Sequence, residues 1–271
     1  MNMIDFEYDG IKLSSLKMSI SSFSDPDDEQ ELGNNLELVN VKGQFADSYF
    51  SAGYSYTEPY QLEFYTTKYN CDNYDDFVIS DAELNTLIRW LNRKSYCKFK
   101  PIYNDGSFAD VYYMAYFNMS LLKAGGDIVG LRLTLNCNAP FGYQETKVFN
   151  GTLGSSPLTI EDTSDEIGHL YCKTIITVKS AGDLTIQNSA DKYNAVIIKN
   201  CKANEIITMS GDTKIITTSM DSHKKFPNDF NFNYIRLVNT FSSRTNTFTA
   251  NLPCEIKMEY NPIRKVGLVI W

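Results

Sequence analysis

Short runs in which apolar and polar residues alternate dominate this chain, and that period of two belongs to strands with one buried face. The pattern starts at once. Ile4 and Phe6 precede Tyr8-Asp9-Gly10, and Ile11 and Leu13 follow it, the signature of a tight hairpin. The runs Tyr60-Gln61-Leu62-Glu63-Phe64-Tyr65 and Val111-Tyr112-Tyr113-Met114-Ala115-Tyr116-Phe117 also read as strands. Tyrosine suits such half-buried positions, because its ring packs while its hydroxyl stays wet. One segment departs from the pattern. Ser80-Asp81-Ala82-Glu83 is a capping box, and Leu84, Leu87, Ile88 and Leu91 then fall at i, i+3, i+4 and i+7. This predicts a helix ending near Lys94, with Arg93 and Lys94 at the negative end of its dipole. The stripe is expected to be core, with Trp90 able to lie against either side.

Near Asn138-Ala139-Pro140-Phe141-Gly142-Tyr143 the pattern changes and a domain boundary is expected, giving units 1–143 and 144–271. Beyond it, strands recur at closer, more regular intervals. Thr174-Ile175-Ile176-Thr177-Val178 leads through Ser180-Ala181-Gly182-Asp183 into Leu184-Thr185-Ile186, which reads as a hairpin. Ile206-Ile207-Thr208-Met209 and Ile215-Ile216-Thr217-Thr218 flank Gly211-Asp212, a pair able to form a primed turn. Strands at this spacing without helical pattern indicate a β-sandwich. The expected fold is mainly β, with one helix in the first domain, no second helix and no strict internal repeat.

Length supports two domains: 271 residues leave room for two cores. A net charge of −8 argues against a basic face that grips nucleic acid. The amino terminus lacks a basic start and apolar run, and no stretch suits a membrane-spanning helix, so neither secretion nor membrane insertion is expected. Cys71, Cys97, Cys137, Cys172, Cys201 and Cys254 are scattered without a CxxC pair, which reads as reduced, buried thiols of a protein folded in cytoplasm.

Candidate chemistry is sparse. Glycine-rich phosphate loops, nucleophile elbows and HExxH are all absent from the sequence. His169 and His223 each stand alone in sequence, which favours surface or loop positions. The acidic stretches 25–31 and 72–76 do not match the EF-hand spacing and read as solvated loops rather than a structural cation site. Paired carboxylates of a glycosidase converge only in the fold and leave no specific trace in sequence. Tyr and Phe number 18 and 16, an excess that fits core plus subunit interface better than a stacking platform for sugar or nucleic acid. No catalytic residue, cofactor or metal site is expected.

Three blocks carry a family resemblance across essentially the whole chain. They are Phe6-Glu7-Tyr8-Asp9-Gly10-Ile11-Lys12-Leu13-Ser14; the helix segment with Arg89-Trp90-Leu91-Asn92, leading to Cys137-Asn138-Ala139-Pro140-Phe141-Gly142-Tyr143; and the segments around Ile235-Arg236-Leu237-Val238-Asn239, Leu252-Pro253-Cys254-Glu255-Ile256 and Tyr260-Asn261-Pro262-Ile263-Arg264. The sequence resembles the distal tail proteins, the baseplate hubs of long-tailed phages of Gram-positive hosts. Residues 145–162 match least well.

The resemblance implies a β-sandwich-like ring-forming domain with one helix and a projecting β element, six copies of which close into a ring. It further implies a peripheral second domain similar to galectins and carbohydrate-binding modules, with the final residues of the chain able to return to the first domain. The implied partners are further copies of the chain, the tail tube protein, the tail-tip protein and the tape measure protein, with DNA as passing cargo. A receptor-binding protein or cell-wall glycan is a further implied partner, and the virion tail tip, assembled in the host cytoplasm, is the implied location. Acidic walls would let DNA slide, since like charge repels phosphate.

The interface residues expected from this reading are Phe6, Tyr8 and Ile11 of the first hairpin and Tyr112 and Tyr116 of the Tyr-rich strand. A carbohydrate-binding adhesion module is the competing reading, with Tyr171 and Tyr193 as sugar-stacking residues. A cell-wall hydrolase ranks below both, since no site can be named for it. The same hub in a prophage-derived, bacteriocin-like particle cannot be separated by sequence.

Overall fold

A computed structural model describes residues 2–21, 36–44, 47–56, 58–68, 77–223 and 226–266. The two acidic stretches and Cys71 lie outside these residues. The chain divides into two compact units, residues 1–144 with 264–271, and residues 145–263.

The first unit contains β1 (Met3–Tyr8), β2 (Ile11–Lys12), β3 (Met18–Ser21), β4 (Leu36–Lys42), β5 (Tyr49–Tyr56), β6 (Gln61–Lys68), α1 (Asp81–Leu91), β7 (Cys97–Tyr103), β8 (Val111–Ala124), β9 (Asp127–Cys137) and β10 (Gly142–Gln144). Seven strands run in the order β2-β1-β7-β8-β9-β6-β3, and β10 pairs with β8. This sheet curls until β1 and β3, far apart in that order, lie against each other. Asp9 and Gly10 have φ of 51° and 79°, the two left-handed residues that a two-residue β1–β2 hairpin requires.

Alternation along β1, β6, β7, β8 and β9 sends Phe6, Tyr8, Phe64, Phe99, Tyr113, Phe117 and Leu133 inward. Helix α1 joins this core. Ser80 Oγ accepts from the Glu83 N–H, and the Glu83 carboxylate accepts from the Ser80 N–H, completing the capping box. The inward face differs from the expected stripe: Leu87, Trp90 and Leu91 are buried, whereas Ile88 is 39% exposed. The reason is the indole. Trp90 stacks on Phe6 with ring centroids 5.7 Å apart, and its Nε1–H donates to the Tyr8 carbonyl at 2.8 Å. Burying the largest side chain with its one polar atom satisfied outweighs burying isoleucine.

The second unit is a two-sheet sandwich. It comprises β11 (Lys147–Leu153), β12 (Leu158–Glu161), β13 (Gly168–Tyr171), β14 (Lys173–Val178), β15 (Gly182–Asn188), β16 (Val196–Cys201), β17 (Ile206–Met209), β18 (Ile216–Thr218), α2 (Phe226–Asp229), β19 (Arg236–Asn239), β20 (Thr245–Ala250) and β21 (Cys254–Tyr260). One sheet runs β11-β21-β14-β17-β18 and the other β12-β20-β15-β16, with β13 and β19 paired separately. The core between them holds Ile176, Val178, Leu184, Ile186, Ile198, Ile207, Phe248, Ile256 and Met258.

Three local expectations are corrected here. β14 and β15 are not a hairpin, because β14 pairs with β17 and β21 while β15 pairs with β16 and β20. Val178 and Leu184 thus enter the same core from opposite sheets. β17 and β18 do pair, but Gly211-Asp212 is not a primed turn; the left-handed residue of that loop is Lys214, with φ of 55°. Gly211 is needed instead for close approach, since a Cβ there would meet Tyr171 Cβ at 2.6 Å. A second helix also exists, though it is the single turn α2. Its start, Phe226-Pro227, matches the preference of proline for the first helical turn.

Candidate interaction surfaces

Hairpin β4–β5 is a two-stranded sheet of its own. Its strands expose Leu36, Leu38, Val39, Val41, Tyr49, Phe50 and Tyr54, each between 45% and 67%. Residues on both faces are open, and neither core of the described residues includes them. Rings carry this apolar surface onward. Tyr54 meets Tyr56 at 5.9 Å, Tyr56 meets Phe141 at 5.8 Å, Phe141 meets Tyr143 at 5.5 Å, and Tyr143 meets Tyr112 at 5.8 Å. Lys98 Nζ sits 4.2 Å above the Tyr112 ring, and Tyr116 packs edge-on to Tyr96.

The expected interface residues therefore separate. Tyr112 and Tyr116 lie half-buried on the outer face of β8, part of or beside this aromatic string, and Ile11 is 40% exposed. Phe6 and Tyr8 are 0% exposed, which corrects their assignment to an interface. Both point into the unit because alternation along β1 turns them to the core, whereas Ile11, on the edge strand β2, stays 40% exposed. Burial raises the Tyr8 phenol well above its ordinary range, and the hydroxyl donates to the Ala115 carbonyl. The hairpin residues escaped sequence reading. Their signal was present in Leu36, Leu38 and Val39, but nothing in sequence says that a strand lacks a neighbour.

In the second unit, Tyr171 ends β13 beneath two cations. Lys214 Nζ lies 2.7 Å from its ring centroid and Arg236 at 5.9 Å, while Arg236 makes a two-pronged ion pair with Asp191. That ring face is covered. Tyr193, by contrast, is 99% exposed at a loop tip, and Phe232 nearby in the fold is 66% exposed with φ of 60°. Asn231 and Asn233, flanking Phe232, both donate to the Ala195 carbonyl and hold this left-handed backbone in place.

His223 is not the isolated surface histidine expected. It is buried, with Nδ1 2.8 Å from Glu205 Oε1 and Nε2 3.1 Å from Asp229 Oδ2. The partners are 18 and 6 residues away in sequence, outside any local motif. Glu205 also accepts from the Thr218 hydroxyl and the Lys202 N–H. His169 sits on β13, where burial lowers its pKa. No group of three or more His, Cys, Asp or Glu able to hold a metal occurs among the described residues. The described cysteines are all free, and burial pushes the Cys137 and Cys172 thiols up to about 12. Among the described residues no helix is long and apolar enough to cross a membrane.

A fold of two β units, one with an exposed apolar hairpin, is the setting for the comparisons with known proteins. A family described as phage tail protein N-terminal domain matches residues 1–139, and one described as phage tail C-terminal domain matches residues 141–260. The chain belongs to this phage tail protein family. Its fold is that of Dit: the chain is similar to the SPP1 Dit (gp 19.1) protein with a TM-score of 0.60 and 14% identity, over 95% of this chain and 98% of that one. A chain of the phage P2 baseplate in its activated conformation gives a TM-score of 0.41 and 9% identity, over 96% and 98%. No curated protein matches the chain.

Proposed function

We propose that this protein is the structural hub at the distal end of a phage tail, a ring of six copies joining the tail tube to the tail-tip adsorption apparatus. The SPP1 relative is described as a paradigm of the hub adsorption apparatus in phages infecting Gram-positive hosts, and that role suits this chain. In this reading the tape measure protein and DNA pass through the ring, and the protein catalyses no reaction.

The observation that carries the reading is hairpin β4–β5, whose apolar residues are open on both faces. A second copy is the occupant that suits it. A ring needs two different complementary surfaces on each subunit, and the hairpin and the outer face of β8 with Tyr112 and Tyr116 supply a candidate pair. Obligate interfaces of this kind are apolar and rich in aromatic residues. Light scattering and particle images of the full-length protein test it. The expected result is a six-fold ring for the wild type and monomers for Leu38→Asp/Phe50→Asp, with helical and strand content unchanged. Strict monomers in the wild type at all concentrations, without rings in tail-tip particles, would sink it.

Direct glycan binding by the second unit is a second reading, favoured by the open rings of Tyr193 and Phe232. Tyr171, roofed by Lys214, would contribute through its other face. Pull-down of the full-length protein on host cell wall, with Tyr193→Ala as control, tests this reading; no retention of the wild type would remove it.

A further inference from the structure

The outer face of the sheet β11-β21-β14-β17-β18 carries a groove whose lining includes neither Tyr193 nor Phe232. Its volume is about 490 Å³, and Asn150 and Thr152 of β11, Glu255 and Lys257 of β21, and Ile175 and Thr177 of β14 line it. Alternation makes this face. Ile176, Val178, Ile256 and Met258 point into the core, which turns the residues between them outward. Register then sets the six in two rows across the strands, Asn150↔Lys257↔Ile175 and Thr152↔Glu255↔Thr177. With strands about 4.8 Å apart, each row spans roughly 10 Å.

The chemistry of the two rows points away from a charged ligand. Glu255 pairs with Lys179 at 2.7 Å and Lys257 with Glu259 at 2.5 Å, and neither partner lines the groove. Both charges are thus answered along the sheet before any ligand arrives. The Asn150 amide and the Thr152 and Thr177 hydroxyls, by contrast, have no hydrogen-bond partner among the described residues. Each of these groups can both donate and accept, as a sugar hydroxyl can. The apolar side chain of Ile175 beside them suits the C–H face of a sugar ring, the mixture of apolar wall and few polar groups that small-ligand sites share. A peptide strand would seek a sheet edge instead, where main-chain groups are open.

We propose that this groove binds a short neutral oligosaccharide laid across β11, β21 and β14. The assignment rests on the glycan reading of the second unit, and it moves the contact from the open rings of Tyr193 and Phe232 to the sheet face.

Binding of the full-length protein to an array of neutral, acidic and phosphorylated oligosaccharides tests this. The wild type should be retained on neutral members, with a signal that holds between about 50 mM and 500 mM salt, since no ligand charge is there to be screened. Thr177→Arg fills the groove from an outward position, and Asn150→Ala/Thr152→Val removes two of its bonding groups. Each should weaken binding by about tenfold, the order of losing one or two hydrogen bonds, with strand content unchanged. Tyr193→Ala should bind as the wild type does. Full retention of both groove variants would overturn the groove, and loss in Tyr193→Ala at the same time would leave glycan binding in place at the loop tip. Retention on acidic or phosphorylated members alone, lost as salt is added, would overturn the neutral ligand. No retention on any member would overturn the groove and the glycan reading together.

Discussion

Trp90 shows how much a single polar atom decides. Its indole fills the first core against Phe6 and Tyr8, and its Nε1–H meets the Tyr8 carbonyl. Trp90→Phe keeps an aromatic ring but leaves that carbonyl without its donor in a buried site. It should cost about 2–3 kcal/mol, measured as a drop in the urea midpoint at unchanged slope. In the second unit Asp162 has a comparable position. It is 3% exposed and accepts from the Tyr260 hydroxyl at 2.7 Å, the Ser164 N–H at 3.0 Å and the Asn239 amide. Asp162→Asn turns one of those acceptors into a donor facing donors. Its expected cost is about 2–4 kcal/mol, read by the same titration, and Asp162→Ala should cost at least as much. Neither residue was legible as a keystone in sequence. Trp90 sat between stripe positions, and Asp162 fell where the family resemblance was weakest. Alternation tells which residues share a face, but a hydrogen bond spanning 82 or 98 positions exists only in the fold.

At the scale of elements, α1 was readable to its first residue because its signals are local. The capping box also gives the helix a measurable pH dependence. The Ser80 N–H, then Lys68, holds the Glu83 carboxyl down from 4.5 to about 2. A depressed carboxyl stabilises the fold above its unfolded pKa and loses that contribution as pH falls through the folded one. Stability should thus decline between about pH 4.5 and pH 2, and Glu83→Gln should flatten this part of the curve. Thermal unfolding across that window measures it; the effect is small, since the carboxylate is 40% exposed and solvent screens it. Strand pairing followed a different rule. The β1–β2 hairpin was legible because Asp9-Gly10 fixes both φ angles, whereas the link from β14 to β15 looked like a hairpin and is a crossing between sheets. A connection through Ser180-Ala181-Gly182 fits either geometry. Only the packing of Val178 and Leu184 from opposite sides of one core chooses between them.

The whole molecule combines two cores that share no residue with a charge that its proposed role makes meaningful. Separate cores predict separable stability. Phe248 is 1% exposed in the second core, so Phe248→Ala should cost about 3–5 kcal/mol there. Calorimetry should show an earlier transition for that unit, while rings built on the first unit persist in particle images. The net charge of −8 acts on the assembly as a whole. Six copies around a passage for DNA would multiply that charge, and repulsion between walls and phosphates favours transit over adhesion. Condensed counterions make protein–DNA affinity rise steeply as salt falls when Lys and Arg neutralise phosphates. A conduit of like charge should show no such rise. Purified rings are therefore expected to leave duplex DNA unretarded in a gel even at about 10 mM salt, where the screening length reaches roughly 30 Å. Retardation that strengthens as salt is removed would place a basic lining in the lumen and contradict the conduit.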